Sequence, residues 1–241
     1  MSMHESSLPE ITKQLNVFIL CDKSGSMEGT KITTVNETCA ELIPEIKDVA
    51  EKESISIKLN VLSFSDKAEW MYPEPKDIEE YQWNELKADG WTQLGSALCE
   101  LNDKLSKEKF LKAKSASTAP VILLLSDGQP TDDYKPALET LKQKRWFKYA
   151  IKCCIAIGND ADQDVLAEFT GDPNAVITVH TPEALRKWIK VVSLTSTQIG
   201  SHSYTRDGLV KDKNEQFVEQ IQIAQEDPDL SQMSTRADQW E

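Results

Sequence analysis

Asp22, Ser24 and Ser26 place one carboxylate and two hydroxyls in a single short loop, directly after the mostly apolar run Leu15 to Cys21. A second apolar run, Pro120 to Leu125, ends in Ser126-Asp127-Gly128. Between them lies Asp89-Gly90-Trp91-Thr92-Gln93-Leu94, whose Thr92 adds one more hydroxyl ahead of a helical pattern. An all-oxygen donor set suits a small hard cation. Mg²⁺ takes about six oxygens at roughly 2.0–2.1 Å and keeps several waters. With Ser24, Ser26 and Thr92 as neutral donors, and Asp22 and Asp127 acting directly or through water, one position stays open for an acidic group from a partner. Each residue also has an ordinary explanation. Ser24, Ser26 or Thr92 could cap a helix, and Asp-Gly after a strand is a common turn. Singly, those explanations are the better ones; jointly, the metal reading is.

The donors belong together only if their strands lie in one sheet. Leu15–Cys21, Pro120–Leu125 and Ala150–Ile157 read as buried parallel strands, and Val176–Val179 as a last one. Ile55, Ile57, Leu59 and Val61 alternate with polar residues, and Ser65-Asp66-Lys67 turns the chain into a return strand from Ala68 to Tyr72. That pair predicts an antiparallel edge hairpin. Apolar residues recur at three- and four-residue steps from Ile32 to Val49, where Pro44 is expected to kink or divide a helix. Further helices are expected from Leu94 to Leu105, from about Pro136 to Lys144, from Val165 to Phe169 and from Pro182 to Leu194. Alternating strands and helices predict an α/β fold, an open and mostly parallel doubly wound sheet with one antiparallel edge strand and helices on both faces. Ligands bind such sheets beyond the carboxyl ends of the strands, where Asp22 and Asp127 fall.

Residues 1–13 read as a polar lead-in, 14–196 as the domain and 197–241 as an acidic tail that is flexible in isolation. Phe217, Val218, Ile221 and Ala224 could form a short amphipathic turn or two there. With 40 acidic against 27 basic residues, the formal net charge of −13 argues against nucleic acid and favours a cation or a basic partner. The five cysteines, Cys21, Cys39, Cys99, Cys153 and Cys154, are odd in number and read as small buried hydrophobes in a reducing compartment. No signal-like or membrane-spanning apolar segment is evident.

Asp22-Lys23-Ser24-Gly25-Ser26-Met27, Thr92 and Ser126-Asp127-Gly128 resemble, in that order, the metal-ion-dependent adhesion site of von Willebrand factor A-type domains. Leu94-Gly95-Ser96-Ala97-Leu98, the run from Asp127 to Asp133, and Cys154–Gly158 followed by Ala161-Asp162 are similar to the TerY-like bacterial group of tellurium resistance and stress signalling. The resemblance implies a cytoplasmic binding protein rather than an enzyme, holding Mg²⁺, or else Mn²⁺ or Ca²⁺. Ser24, Ser26 and Thr92 would contact the metal, and Asp22 and Asp127 would act largely through water. It also implies a Ser/Thr kinase and a PP2C-type phosphatase as associates. Ser193, Thr195, Ser196, Thr197, Ser201, Ser203, Thr205, Ser231, Ser234 and Thr235 would then be phosphorylation candidates. Two residues depart from the pattern. Lys23 carries a cation beside the site, harmless over the helix but weakening if it turns inward, and Trp91 replaces a smaller residue, either exposed as an anchor or packed under its own loop.

Two other classes stay open. A metal-dependent phosphohydrolase would use Asp22 as nucleophile, but the second acid expected two residues later is Ser24. His4, His180 and His202 accompany no nucleophile motif, and a Gly-x4-Gly-Lys phosphate loop is absent. A structural subunit with an empty metal site is the other.

Overall fold

A computed structural model of the chain describes residues 13–106, 118–201, 212–230 and 240. The lead-in except Lys13, residues 107–117, and Ser203, Thr205, Ser231, Ser234 and Thr235 lie outside them.

Strand β1, Gln14–Asp22, is buried along its whole length. It pairs in parallel with β2 (Ser56–Phe64) on one side and with β5 (Val121–Ser126) on the other. Outside β2, the short strands β3 (Ala68–Trp70) and β4 (Lys76–Asp77) both run antiparallel to it. Beyond β5 the parallel strands β6 (Ile151–Ile157) and β7 (Val176–Val179) complete a seven-stranded sheet. The order β3-β2-β1-β5-β6-β7 sends the first crossover one way and the later ones the other. The reversal opens a crevice at the carboxyl ends of β1 and β5, the place where such sheets bind ligands.

Alternation along β1 feeds two cores. Leu15, Val17, Ile19 and Cys21 face one, covered by α1 (Thr30–Lys52), α6 (Pro182–Ser201) and α7 (Lys213–Gln225). Phe18 and Leu20 face the other, covered by α2 (Leu94–Lys104), α3 (Lys135–Lys142), the short α4 (Arg145–Lys148) and α5 (Gln163–Thr170). No helix among the described residues is long and apolar enough to cross a membrane.

Five expectations change. Pro44 does not divide α1. Its ring and the Ala40 carbonyl that loses a partner lie on the exposed face, where water can satisfy the carbonyl, while Leu42, Ile43 and Ile46 hold the helix to the sheet. Helix α6 continues to Ser201, past the last apolar periodicity, because its buried side is built from Ser193, Ser196, Thr197, Gly200 and Ser201. Small residues let the backbone approach the sheet. A Cβ on Gly200 would stand 3.0 Å from Leu15 Cδ1 and 3.3 Å from Val121 Cγ2. Burial in α6 removes Ser193, Ser196, Thr197 and Ser201 as accessible phosphorylation sites. Finally, Phe217, Val218 and Ile221 lie in a 13-residue helix and are buried, and Cys99, unlike the other four cysteines, is exposed.

Candidate metal centre

Strand ends and backbone ties shape the site. Beyond β1, Ser24 is extended (φ −61°, ψ 166°) and a single 3₁₀ turn follows over Gly25–Met27. Neighbouring loops hold this segment through their main chains. Lys23 N–H donates to Phe64 O (2.9 Å), Gly25 N–H to Gly90 O (2.9 Å), and Asp89 N–H to Lys23 O (2.8 Å). The loop before α2 is fixed in turn by Gln93 N–H to Ser65 O (3.1 Å) and Thr131 N–H to Thr92 O (2.8 Å).

The capping alternatives fail on geometry. Ser24 makes no side-chain cap, α1 starts after Gly29, and Gln93 rather than Thr92 precedes α2. Asp132 supplies acceptors to the first turn of α2 instead, taking Gly95 N–H at 3.1 Å and Ser96 N–H at 3.2 Å. The hydroxyls of Ser24, Ser26 and Thr92 are thus left for other uses.

All five expected residues meet at the sheet edge. Asp22 Oδ1 accepts from Ser24 N–H (2.8 Å) and Oδ2 from the Ser126 hydroxyl (2.6 Å). Ser24 Oγ and Ser26 Oγ are 3.1 Å apart, and Ser26 donates to Asp127 Oδ1 at 2.7 Å. Both carboxylates have no exposed surface. Burial raises the Asp22 carboxyl above its ordinary value, hydrogen bonds from Ser126 and Ser24 oppose the rise, and the charge of Asp127 adds to it. Two buried carboxylates that repel each other make a site that favours a cation. Thr92 reaches the group through Gly128. A Cβ on Gly128 would lie 3.1 Å from Thr92 Oγ1 and 3.6 Å from Ser26 Oγ, so glycine leaves open the space these hydroxyls share. Thr92 Oγ1 makes no hydrogen bond within the described residues, although Thr92 is only 6 % exposed.

The donor set fits a hard divalent cation. Among the described residues no three His, Cys, Asp or Glu side chains cluster to hold a metal, so two carboxylates and three hydroxyls are what the edge offers. Cys21, adjacent in sequence, turns into the core, and burial holds its thiol protonated well above its ordinary range. Oxygen donors without thiolate or imidazole match Mg²⁺, Mn²⁺ or Ca²⁺.

Lys23 turns neither over the helix nor inward. Its ammonium meets Asp89 Oδ1 at 3.1 Å, and Asp89 also accepts from Ser65 Oγ. Trp91 is 69 % exposed, with its N–H held by Asp66 Oδ1 at 2.8 Å. The cation that does reach the carboxylates is Lys31, which sequence reasoning passed over: its Nζ lies 2.6 Å from Asp127 Oδ2. A lysine in the first turn of a helix opposes the helix dipole, and that was the signal to notice. Ser126 and Gly128 also have parts, one fixing Asp22 and the other leaving room.

A family model described as von Willebrand factor type A domain matches residues 16–191. Mouse inter alpha-trypsin inhibitor, heavy chain 4, is 32 % identical over 135 residues, covering 52 % of this chain but 13 % of the relative. Human collagen alpha-6(VI) chain is 27 % identical over 183 residues, 74 % of this chain and 8 % of the relative. The chain therefore spans only a small fraction of the length of these relatives. Among solved structures, a von Willebrand factor type A protein from Catenulispora acidiphila superposes with TM-score 0.56 at 21 % identity, over 77 % of this chain and 43 % of that one. Proximal thread matrix protein 1 from the mussel byssus, described with a zinc-occupied MIDAS motif, gives 0.53 at 13 % identity over 79 % and 46 %. With the family model covering the sheet and all five clustered residues, the chain belongs to the von Willebrand factor type A domain family.

Proposed function

We propose that this chain is a metal-dependent protein-interaction module whose site is Asp22, Ser24, Ser26, Thr92 and Asp127. The observation that carries the reading is the placement of Thr92: among the described residues its hydroxyl makes no hydrogen bond, and it stands beside Ser26 Oγ across a space kept open by Gly128, at the edge that also holds the buried carboxylates of Asp22 and Asp127. Ser24, Ser26 and Thr92 would hold the ion directly, while Asp22 and Asp127 orient the serines and supply negative charge. A divalent cation bound there supplies a positive centre for a carboxylate of the partner protein. Mg²⁺ is the proposed ion, with Mn²⁺ or Ca²⁺ as alternatives; zinc enters through the mussel protein's description. Exposed Trp91 beside the site offers that partner an aromatic anchor.

The reading is a binding role, not turnover. Both Asp22 oxygens are engaged by Ser24 and Ser126 and the residue is fully buried, which disfavours it as a phosphoryl acceptor. The resemblance to the TerY-like group motivates the finer proposal: a bacterial, cytoplasmic scaffold in a tellurite-type stress system with a Ser/Thr kinase and a PP2C-type phosphatase. Residues 14–196 would form the binding unit, and 197–241 an acidic segment that completes α6 and docks α7 on the same core, its phosphorylation falling on Ser203, Thr205, Ser231, Ser234 or Thr235. Affinity purification of tagged wild type and Asp22→Ala, with and without EDTA, tests the core claim. Expected is a partner that co-purifies with wild type and Mg²⁺ only. Equal recovery in all four conditions would overturn it.

A further inference from the structure

Lys31 sits where a metal-site residue has no obvious reason to be. It is the second residue of α1, at the helix end where positive charge is disfavoured. Its ammonium nevertheless reaches Asp127 Oδ2 at 2.6 Å, and its side chain is only 14 % exposed. Asp127 is fully buried and its other oxygen accepts from Ser26, itself a candidate ligand. The Lys31 Nζ also lies 5.8 Å from the ring centroid of Trp240, which is partly buried against the core that α1 and α6 cover. Among the described residues, Lys31 is the one cation paired with either carboxylate, since Lys23 is engaged by Asp89.

We infer that Lys31 is a built-in competitor of the metal: its ammonium neutralises Asp127 when no ion is bound, and so sets how tightly the site takes a divalent cation. The inference rests on the metal reading of this site. The physical case is one of charge. A divalent ion among Ser24, Ser26 and Thr92 draws on the negative charge of Asp127, and an ammonium already bound to that carboxylate both cancels the charge and repels the ion. Asp127 is fully buried and Lys31 partly so, and salt screens such a pair less than an exposed one. Coupling is reciprocal: whatever Lys31 costs the metal, the metal costs the Lys31–Asp127 pair. A loaded site therefore loosens Lys31, and Trp240, whose ring centroid lies 5.8 Å from that ammonium, registers the change.

Calorimetric titration of the full chain with MgCl₂ and MnCl₂ tests it, with wild type, Lys31→Met, Lys31→Arg and Asp22→Ala. Lys31→Met is expected to bind the metal roughly tenfold more tightly, within the usual range of such couplings, and Lys31→Arg to stay near wild type. Removing Lys31 also leaves Asp127 a buried charge, so thermal unfolding gives a second readout: Lys31→Met should be less stable than wild type without metal and should gain more from Mg²⁺. Trp240 adds a third. The emission difference between wild type and Trp240→Phe should change with Mg²⁺, and should not change in Asp22→Ala. Equal or weaker binding by Lys31→Met, where wild type binds, overturns the competition and leaves the metal site standing. Binding in wild type with an unmoved Trp240 signal overturns the link to that residue. No binding in wild type or in Lys31→Met removes the metal reading itself, and this inference with it.

Discussion

Replacing Phe217 by alanine tests whether the helix beyond residue 212 is part of the folded unit. Phe217 has no exposed surface and packs with Val218 and Ile221 on the core that also holds Leu15 and Trp188. Truncating a fully buried phenylalanine to alanine costs about 3–5 kcal/mol, the spread reflecting how far neighbours collapse into the space. Helix α7 lies at the periphery and can settle inward, so we expect the lower end, about 3 kcal/mol. For a domain of this size that corresponds to a fall in Tm of roughly 6–12 °C. Ile223, on the same helix but 60 % exposed, is the control, and its alanine variant should stay within about 0.5 kcal/mol of wild type. Urea unfolding followed by circular dichroism measures both. A smaller m-value in Phe217→Ala would mean that α7 has already left the surface in the native baseline. A Phe217→Ala variant as stable as wild type, with the same m-value, would refute the docked helix.

Three further outcomes are expected. Gly128→Ala puts a methyl 3.1 Å from Thr92 Oγ1, while the backbone at 128 is not in the left-handed region; metal affinity by calorimetry should drop about tenfold, and thermal stability should hold or rise by up to about 1 kcal/mol. Trp91→Ala should leave metal binding and Tm unchanged and weaken partner capture, by about 2 kcal/mol if Trp91 is an interface anchor. Raising pH should destabilise the chain from about 9 to about 12, because burial pushes the Cys39 thiol from its ordinary 9.0 up to about 12 and raises Cys21, Cys153 and Cys154 as well. Over that window the unfolded chain releases thiol protons that the folded chain keeps, so the folded state binds more protons and stability falls as pH rises. Urea midpoints across the window should decline, and less steeply in Cys39→Ala.

The sheet and its loaded edge were legible because apolar runs that end in aspartate say both where a strand is and what it carries. Leu15–Cys21 before Asp22 and Pro120–Leu125 before Ser126-Asp127 put both carboxylates at the carboxyl edge of one sheet; that their strands are neighbours is what the fold adds. What was hidden was hidden for physical reasons. The last turns of α6 bury Ser196, Thr197 and Gly200, residues that look like linker until Leu15 and Val121 are found within van der Waals reach of the backbone. Whether Ser24 or Thr92 caps a helix depends on where the helix begins, and the helices begin after Gly29 and Gln93. Lys31 looked like any surface lysine of an amphipathic helix, because only the fold brings the start of α1 to the end of β5.

The main-chain bonds tying Lys23, Gly25, Asp89 and Thr92 to neighbouring loops bear on the thermodynamics of association. Ordering a free loop around a ligand costs conformational entropy at the moment of binding. Here four segments that share no sequence neighbourhood, at 23–25, 64–65, 89–93 and 131, hold one another by backbone hydrogen bonds, so that entropy is lost when the chain folds and not when a ligand arrives. A metal or partner docking on this edge should therefore show a heat-capacity change that scales with the surface covered, without the large excess that marks coupled folding.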